Sequence, residues 1–502
     1  MLDCQSCQKL RRHFLGELIC NKYKHRELDG SNNNSKHPTY GKAGQNFIRH
    51  SEPDYEDGLN SPSGNNRPSA REVSNLVFDQ EESKPNPQGL TNMVWLYGQF
   101  VDHSITLTNT GNVKLPIQVP KGDKYFDPDS TGDKTISFTR SIYDPETGKN
   151  GKPREQINQL TPLLDGSMVY GHNKKRGDYL RTFKDGLMRT SQGNMLPIYT
   201  GGFPNAGPPG YLSFIGGDVR CNEHIGLAAM HNLFILEHNY WAKEIKRCAP
   251  NMSDENIYQK AKMVVEAEIQ AIAYNEYLPL LLGPQGLCKY RGFDPEVNPQ
   301  LTNEFAAAAY RFGHSMVATD MYKGKMNLRD TFFASHIICN GGGIGPILEQ
   351  FCNSQSETLN SKMIDDLRNF LFGKPGEGGH DLAALNMQRG RDHGLASYNK
   401  IREDLGLSTQ ERRENMDLFC GGLLECPHSK ALVGETFYLL IKDQFERIRK
   451  GDSFWYQHRM SKKQVKYING ITLGQIIYRH TNLNRNNVFD KSKNKYKCKC
   501  HK

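Results

Sequence analysis

Apolar residues in this chain fall into periodic blocks separated by polar stretches rich in Gly, Pro, Asn and Ser. Leu90, Met93, Val94, Tyr97, Val101 and Ile105 recur at steps of three and four and predict the first strong helix. Leu227, Met230, Phe234, Tyr240 and Trp241 predict a long amphipathic helix over Glu223 to Cys248. Ser253 suits the N-cap of a helix running to about Tyr277, and Asn303 suits the cap of one over Glu304 to Val317. Further helices are expected over Ser361 to Phe372, Lys430 to Arg449 and Thr472 to Arg479. Strand signals are short, as in Thr135-Ile136-Ser137-Phe138. Residues 1–88 show little periodicity and read as an extended wrapping segment. The expectation is a mainly α fold: one large helical domain over 89–490 with few short strands, followed by a basic C-terminal tail over 491–502. No internal repeat is visible.

Composition narrows the possibilities. The chain has 502 residues and a formal net charge of +9, with a mean hydropathy of −0.68. Its charge reads as a solvated basic surface that attracts small anions. No focused stripe or recognition module accompanies it, so nucleic acid is not an expected partner. The longest uncharged stretch, Thr331 to Leu348, is interrupted by Gly341, Gly342, Gly343, Gly345 and Pro346, so no transmembrane segment is expected. Twelve cysteines, an even number, suggest disulfides and an oxidising compartment. Cys4 and Cys7 would need a second such pair to make a zinc site, and Cys498-Lys499-Cys500 does not supply one. The opening Met-Leu-Asp-Cys lacks the apolar run of a secretion signal, while sequons at Asn33 and Asn251 fit secretion.

Four polar clusters interrupt the apolar helices. Gln99, Asp102 and His103 share one face of the first helix, which implies a polar cavity or a ligand beside it. Arg220 and Glu223 lie three apart at an expected helix start. Arg311 and His314 follow the small residues Ala306 to Ala309, which let something large and flat approach. Asn386, Arg389, Asp392 and His393 crowd a presumed interior. A lone His on such a face suits an axial haem ligand or a satisfied core position. Spacing alone leaves His103, His314 and His393 as rivals.

Ordered motifs separate them. Asp54-Tyr55-Glu56-Asp57-Gly58, Gly98 to His103, Phe126-Asp127-Pro128, Arg154 to Asn158, Asp165 to Gly171, Gly217-Asp218-Val219-Arg220, Tyr277-Leu278-Pro279, Arg311 to His314, Asn386 to Gly394 and Gly451 to Tyr456 follow one another in the order found in animal-type haem peroxidases. From about Glu27 to Phe489 the chain resembles that superfamily. The resemblance implies a helical catalytic domain enclosing haem b. It gives His103 as the acid–base His and Arg220 and Gln99 as its companions. It gives His314 as the iron ligand, and Asn386 as acceptor of that ligand's ring N–H. Arg311 and Arg389 fall near the haem propionates. Asp102 and Glu223 take the places of carboxylates that form esters with haem. Hydrogen peroxide and small anionic or phenolic donors are the implied substrates, and an extracellular location is implied.

The resemblance also has gaps. The family's calcium loop is matched by Thr161, the Leu163 carbonyl, Asp165 and Ser167, but the usual Asp after the distal His is Ser104, which should weaken Ca2+ binding. His224 stands where myeloperoxidase carries a Met that bonds to a haem vinyl. Cysteines common in the family are missing between Ser104 and Arg140. Two other functions are compatible with the fold. A fatty-acid dioxygenase would carry a radical-forming Tyr three residues before the proximal His, where this chain has Arg311. A peroxinectin-like adhesion protein with an integrin partner would use Arg176-Gly177-Asp178, to which Lys121-Gly122-Asp123 and Lys450-Gly451-Asp452 are similar, although Asp178 to Arg181 reads as a helix start.

Overall fold

The computed structural model describes residues 5–490 except 323, 375–377, 412, 414 and 485–486, together with residue 492. The expected basic tail, apart from that one residue, and Cys4, Cys498 and Cys500 lie outside the described residues. The fold is mainly helical, with short two-stranded antiparallel pieces among the described residues. One of these pairs Thr135–Ile136 with Ile117–Gln118.

The N-terminal segment departs from expectation at its start. Gln5–Cys20 is a helix, α1. Its Phe14, Leu15 and Leu18 are buried, and Phe14 stacks on Tyr467 at 4.4 Å between ring centres. These apolar positions are spaced four and three apart, but lysine, arginine and glutamine around them mask the face. Beyond α1, residues 21–69 run without a helix over the rest of the molecule.

Met93–Ile105 forms α2, almost wholly buried. Ile225–Cys248 forms α3, capped by the His224 side chain rather than starting at Glu223. Asp254–Ile272 forms α4 with Ser253 as its cap, and a π-helical turn carries it on through Tyr277. These helices pack together as the centre of the fold. Gly98 of α2 is required there, because a Cβ at this position would lie 2.6 Å from the Tyr277 hydroxyl.

The expected helix over Glu304 to Val317 is broken. Thr302, not Asn303, caps Asn303–Ala307, here α5. Ala308 leaves helical geometry at φ −137° and ψ −69°, and Ala309–Met316 continues as a 3₁₀ segment. With three residues per turn, that segment puts Arg311 and His314 on one edge. Leu382–Asp392 forms α6, capped by Asp381, and packs against α5. The helix expected from Lys430 begins later, at Glu435, and runs to Lys450 as α7. Only Asp365–Arg368 is helical in the stretch from Ser361 to Phe372, because Leu371–Lys374 pairs with Gly378–His380 as strands. Leu473–Thr481 forms α8 with a complete capping box at Thr472 and Gln475.

Among the described residues none of the expected disulfides is formed: Cys20, Cys221, Cys248, Cys288, Cys339, Cys420 and Cys426 are free thiols. No helix among the described residues is long and apolar enough to cross a membrane.

Candidate active site

A cavity of about 580 Å3 lies between two walls of the fold, within the range of small-ligand and cofactor sites. One wall is α2 and the loop before α3. The i, i+3 and i+4 spacing of α2 turns Gln99, Asp102 and His103 toward the cavity. The loop adds Arg220 and Glu223, which precede α3 rather than starting it. The facing wall is the 3₁₀ segment and α6, which add Arg311, His314 and Arg389. The residues expected to act together are therefore gathered at one cavity, with His103 and His314 on opposite sides.

The first wall is organised by Asp218. Its carboxylate accepts from Arg220 Nε at 2.8 Å, Nη2 at 2.9 Å and the Arg220 backbone N–H at 2.8 Å. The same carboxylate stands 3.6 Å from His103 Nδ1, a buried nitrogen with no other partner. His103 Nε2 points the other way, 4.0 Å from Glu223 Oε2. Burial, reinforced by Arg220 and opposed by Asp218, holds His103 well below the usual histidine range. Burial opposed by Arg220 pushes Asp102 up to about 6 and Glu223 up to about 7. Sequence reasoning quoted Asp218 within a motif but gave it no role. Its spacing of two from Arg220 was the available signal.

On the facing wall, burial lowers His314 to about 3, so its ring is neutral and has a lone pair to offer a metal. His314 Nδ1 is 2.8 Å from Asn386 Nδ2, while Arg311 Nη1 donates to Asn386 Oδ1 at 2.8 Å. The amide oxygen expected to face that ring N–H is thus engaged by Arg311. A half-turn of the amide exchanges its two ends. Arg389 donates to Ser141 Oγ and to Asp392 Oδ2, both at 2.8 Å. The rival His393 also touches the cavity but has both ring nitrogens occupied, by Asn303 Oδ1 at 2.6 Å and Ser141 Oγ at 2.7 Å. It is a satisfied core residue.

The calcium-loop residues also come together. Thr161 Oγ1 donates to Asp165 Oδ2 at 2.5 Å, and Asp165 Oδ1 accepts from the Ser167 N–H at 2.9 Å. Asp165 N–H bonds the Leu163 carbonyl, and Ser167 Oγ donates to the Ser104 carbonyl at 2.8 Å.

The adhesion tripeptide is not presented. Arg176 is buried in the helix Lys174–Leu180 and donates to the Gly216 and Pro204 carbonyls at 2.7 and 2.8 Å. Asp123 and Asp452 of the two similar tripeptides are buried and paired with Arg71 and Arg26. A buried cation that loses its carboxylate is destabilising by about 3–5 kcal/mol. Asp218→Ala is therefore expected to lower stability by roughly 3 kcal/mol. Chemical denaturation reads this directly, and an unchanged midpoint contradicts it.

Comparison with known proteins places the chain in a family. A family model described as animal haem peroxidase matches residues 25–416 and 411–490. Peroxinectin A of Dictyostelium discoideum is 35% identical, over 92% of this chain and 94% of its own. Peroxidasin of Drosophila melanogaster is 31% identical over 91% of this chain, which spans only 35% of that longer protein. The solved structure of peroxidase A from Dictyostelium discoideum aligns with a TM-score of 0.87 at 33% identity, covering 94% of this chain and 100% of that one. A fatty acid alpha-dioxygenase of Arabidopsis thaliana shares the fold, with a TM-score of 0.78 at 19% identity over 97% of this chain and 88% of its own. The chain belongs to the animal haem peroxidase family.

Proposed function

We propose that the cavity holds haem b between His314 and His103, and that the chain reduces hydrogen peroxide there while oxidising halide, pseudohalide or phenolic donors. The observation that carries this reading is the pair of neutral, cavity-facing histidines on opposite walls, with Arg220 beside one and Asn386 behind the other. His314 would ligate the iron through Nε2 with the Asn386 amide turned so that its oxygen accepts from Nδ1–H, because an Asn386 nitrogen donating to Nδ1 would leave the ring proton on Nε2. Arg311 and Arg389 would meet the propionates. Haem, when bound, supplies the redox centre that takes up the two oxidising equivalents of peroxide. His103 Nε2 accepts a proton from the incoming peroxide and returns it to the leaving oxygen, a task suited to an imidazole that is neutral before the reaction. Arg220 stabilises negative charge on that oxygen, and its pairing with Asp218 fixes where the guanidinium stands.

Ester links through Asp102 and Glu223 belong to the same proposal. Burial penalises both carboxylates, and an ester carries no charge to solvate. The dioxygenase alternative has no support at Arg311, which bonds Asn386 and Ala306. Integrin binding through Arg176 is disfavoured by its burial. An extracellular, glycosylated form would carry sugar at Asn251, which is exposed. Asn33 is buried and bonds the Tyr40 and Gly451 carbonyls.

Calcium at the loop is proposed as a weak site only. Asp165 is its single carboxylate, and Arg26 and Lys262 already place positive charge near it. No trio of His, Cys, Asp or Glu among the described residues could hold a metal ion.

Three outcomes are expected. His314→Ala shifts and weakens the Soret band of haem-loaded protein, whereas Arg220→Ala keeps the band and slows the reaction with peroxide by at least about a hundredfold in stopped flow. A His314→Ala protein with an unaltered Soret band would contradict the assignment. Because the His103 pKa is depressed from 6.5, the neutral base persists as pH falls. The peroxide rate is therefore expected to stay flat as pH drops through 6.5 and to decline only well below it. A decline centred at or above 6.5 contradicts this. Ser104→Asp restores a second carboxylate and is expected to tighten Ca2+ binding about tenfold or more by calorimetry. No tightening would remove the loop as a calcium site.

A further inference from the structure

His224 is buried against the cavity wall, its ring 5.5 Å from the Trp95 ring and stacked at 6.4 Å on Phe351. The His224 backbone also bridges to Phe332. Both of its ring nitrogens are engaged, and the direction of each bond can be deduced. The Leu227 backbone N–H points at His224 Nδ1 at 3.3 Å. A backbone N–H can only donate, so Nδ1 is the acceptor and the ring proton sits on Nε2. Nε2 lies 2.8 Å from Gln99 Oε1, so it donates to that oxygen. The amide of Gln99 is thereby turned with its nitrogen toward Glu223, and Nε2 donates to Glu223 Oε2 at 2.9 Å. The whole chain, from Leu227 through His224 and Gln99 to Glu223, runs one way. A backbone amide at the start of α3 sets its direction.

One N–H of the Gln99 amide goes to Glu223 and the other is left for a ligand in the cavity. With the amide reversed, its carbonyl oxygen would face the Glu223 oxygen, an acceptor whether ionised or esterified, and any anion alongside, and would repel both. We propose that His224 is a positioning residue that fixes the Gln99 amide with its N–H side toward the cavity and so sets how tightly this wall holds a small anion. The inference rests on the peroxidase reading of the cavity. Burial also lowers His224 to about 3, which keeps the single neutral tautomer that the relay needs.

The test uses haem-loaded protein with sodium fluoride as the probe, read by absorption. His224→Phe keeps a flat ring against Trp95 and Phe351 but removes the donor. It is expected to raise the fluoride Kd about tenfold, the worth of one hydrogen bond. In a Gln99→Leu background the same change is expected to shift Kd less than about twofold, because the group it orients is gone. His224→Gln, which keeps a donor, is expected to recover most of the affinity. It serves as the comparison if His224→Phe loads haem poorly. Equal effects of His224→Phe in both backgrounds, or no effect in the first, overturn the proposal. The second readout needs no haem. The 15N shifts of His224, assigned by the signal lost in His224→Phe, are expected to show a protonated Nε2 and a bare Nδ1. The opposite tautomer overturns the relay even if the protein is a peroxidase. A correct tautomer in a wild type that takes up no haem overturns the peroxidase reading and leaves the relay standing.

Discussion

A guanidinium can sit beside a buried imidazole only if a carboxylate holds it, and Asp218 does this for Arg220. Three hydrogen bonds from one arginine converge on that carboxylate, which also faces the otherwise unpartnered nitrogen of His103. The contact does two things at once. It neutralises a charge that burial would otherwise make unaffordable, and it directs the free nitrogen of His103 into the cavity. On the other wall Arg389 is held in the same way by Asp392, whereas Arg311 is held by the neutral amide of Asn386. The cavity is thus lined by cations that are fixed in place before any ligand arrives.

Backbone geometry supplies the rest. Regular α spacing on α2 aligns Gln99, Asp102 and His103. On the facing wall the break at Ala308 and the 3₁₀ turn after it align Arg311 with His314. An uninterrupted α-helix would have rotated these two residues about 60° apart, at 3.6 residues per turn. The small residues before the break let the wall stand back from α2. The shape of the cavity and the placement of its charges therefore follow from backbone geometry on both sides.

Much of this was legible in the sequence. The helices α2, α4 and α8 were expected from the sequence, α2 from its apolar spacing and α4 from its cap Ser253. Ordered motifs singled out His103, Arg220 and His314 before any geometry was known. Other features depended on three-dimensional pairing. Helix α1 was hidden because its apolar face is narrow and its partners, Trp241 and Tyr467, lie more than two hundred residues away. The break at Ala308 was invisible because alanine favours a continuous helix and tertiary packing overrode it. Asp218 and His224 lie within recognisable stretches, but their roles depend on His103 and Gln99 of α2, which the fold brings beside them. Arg176 matches an adhesion tripeptide in sequence, and its bonds to the Gly216 and Pro204 carbonyls show it to be internal.

The central claim is that the space between His103 and His314 is a peroxidatic haem site. It is tested most directly by loading the wild-type chain with haem and mixing it with one equivalent of hydrogen peroxide in stopped flow. The account predicts a Soret band in the starting protein, its rapid change on mixing, and its return when iodide or guaiacol is added. A protein that takes up no haem, or whose haem spectrum is untouched by peroxide, would contradict it.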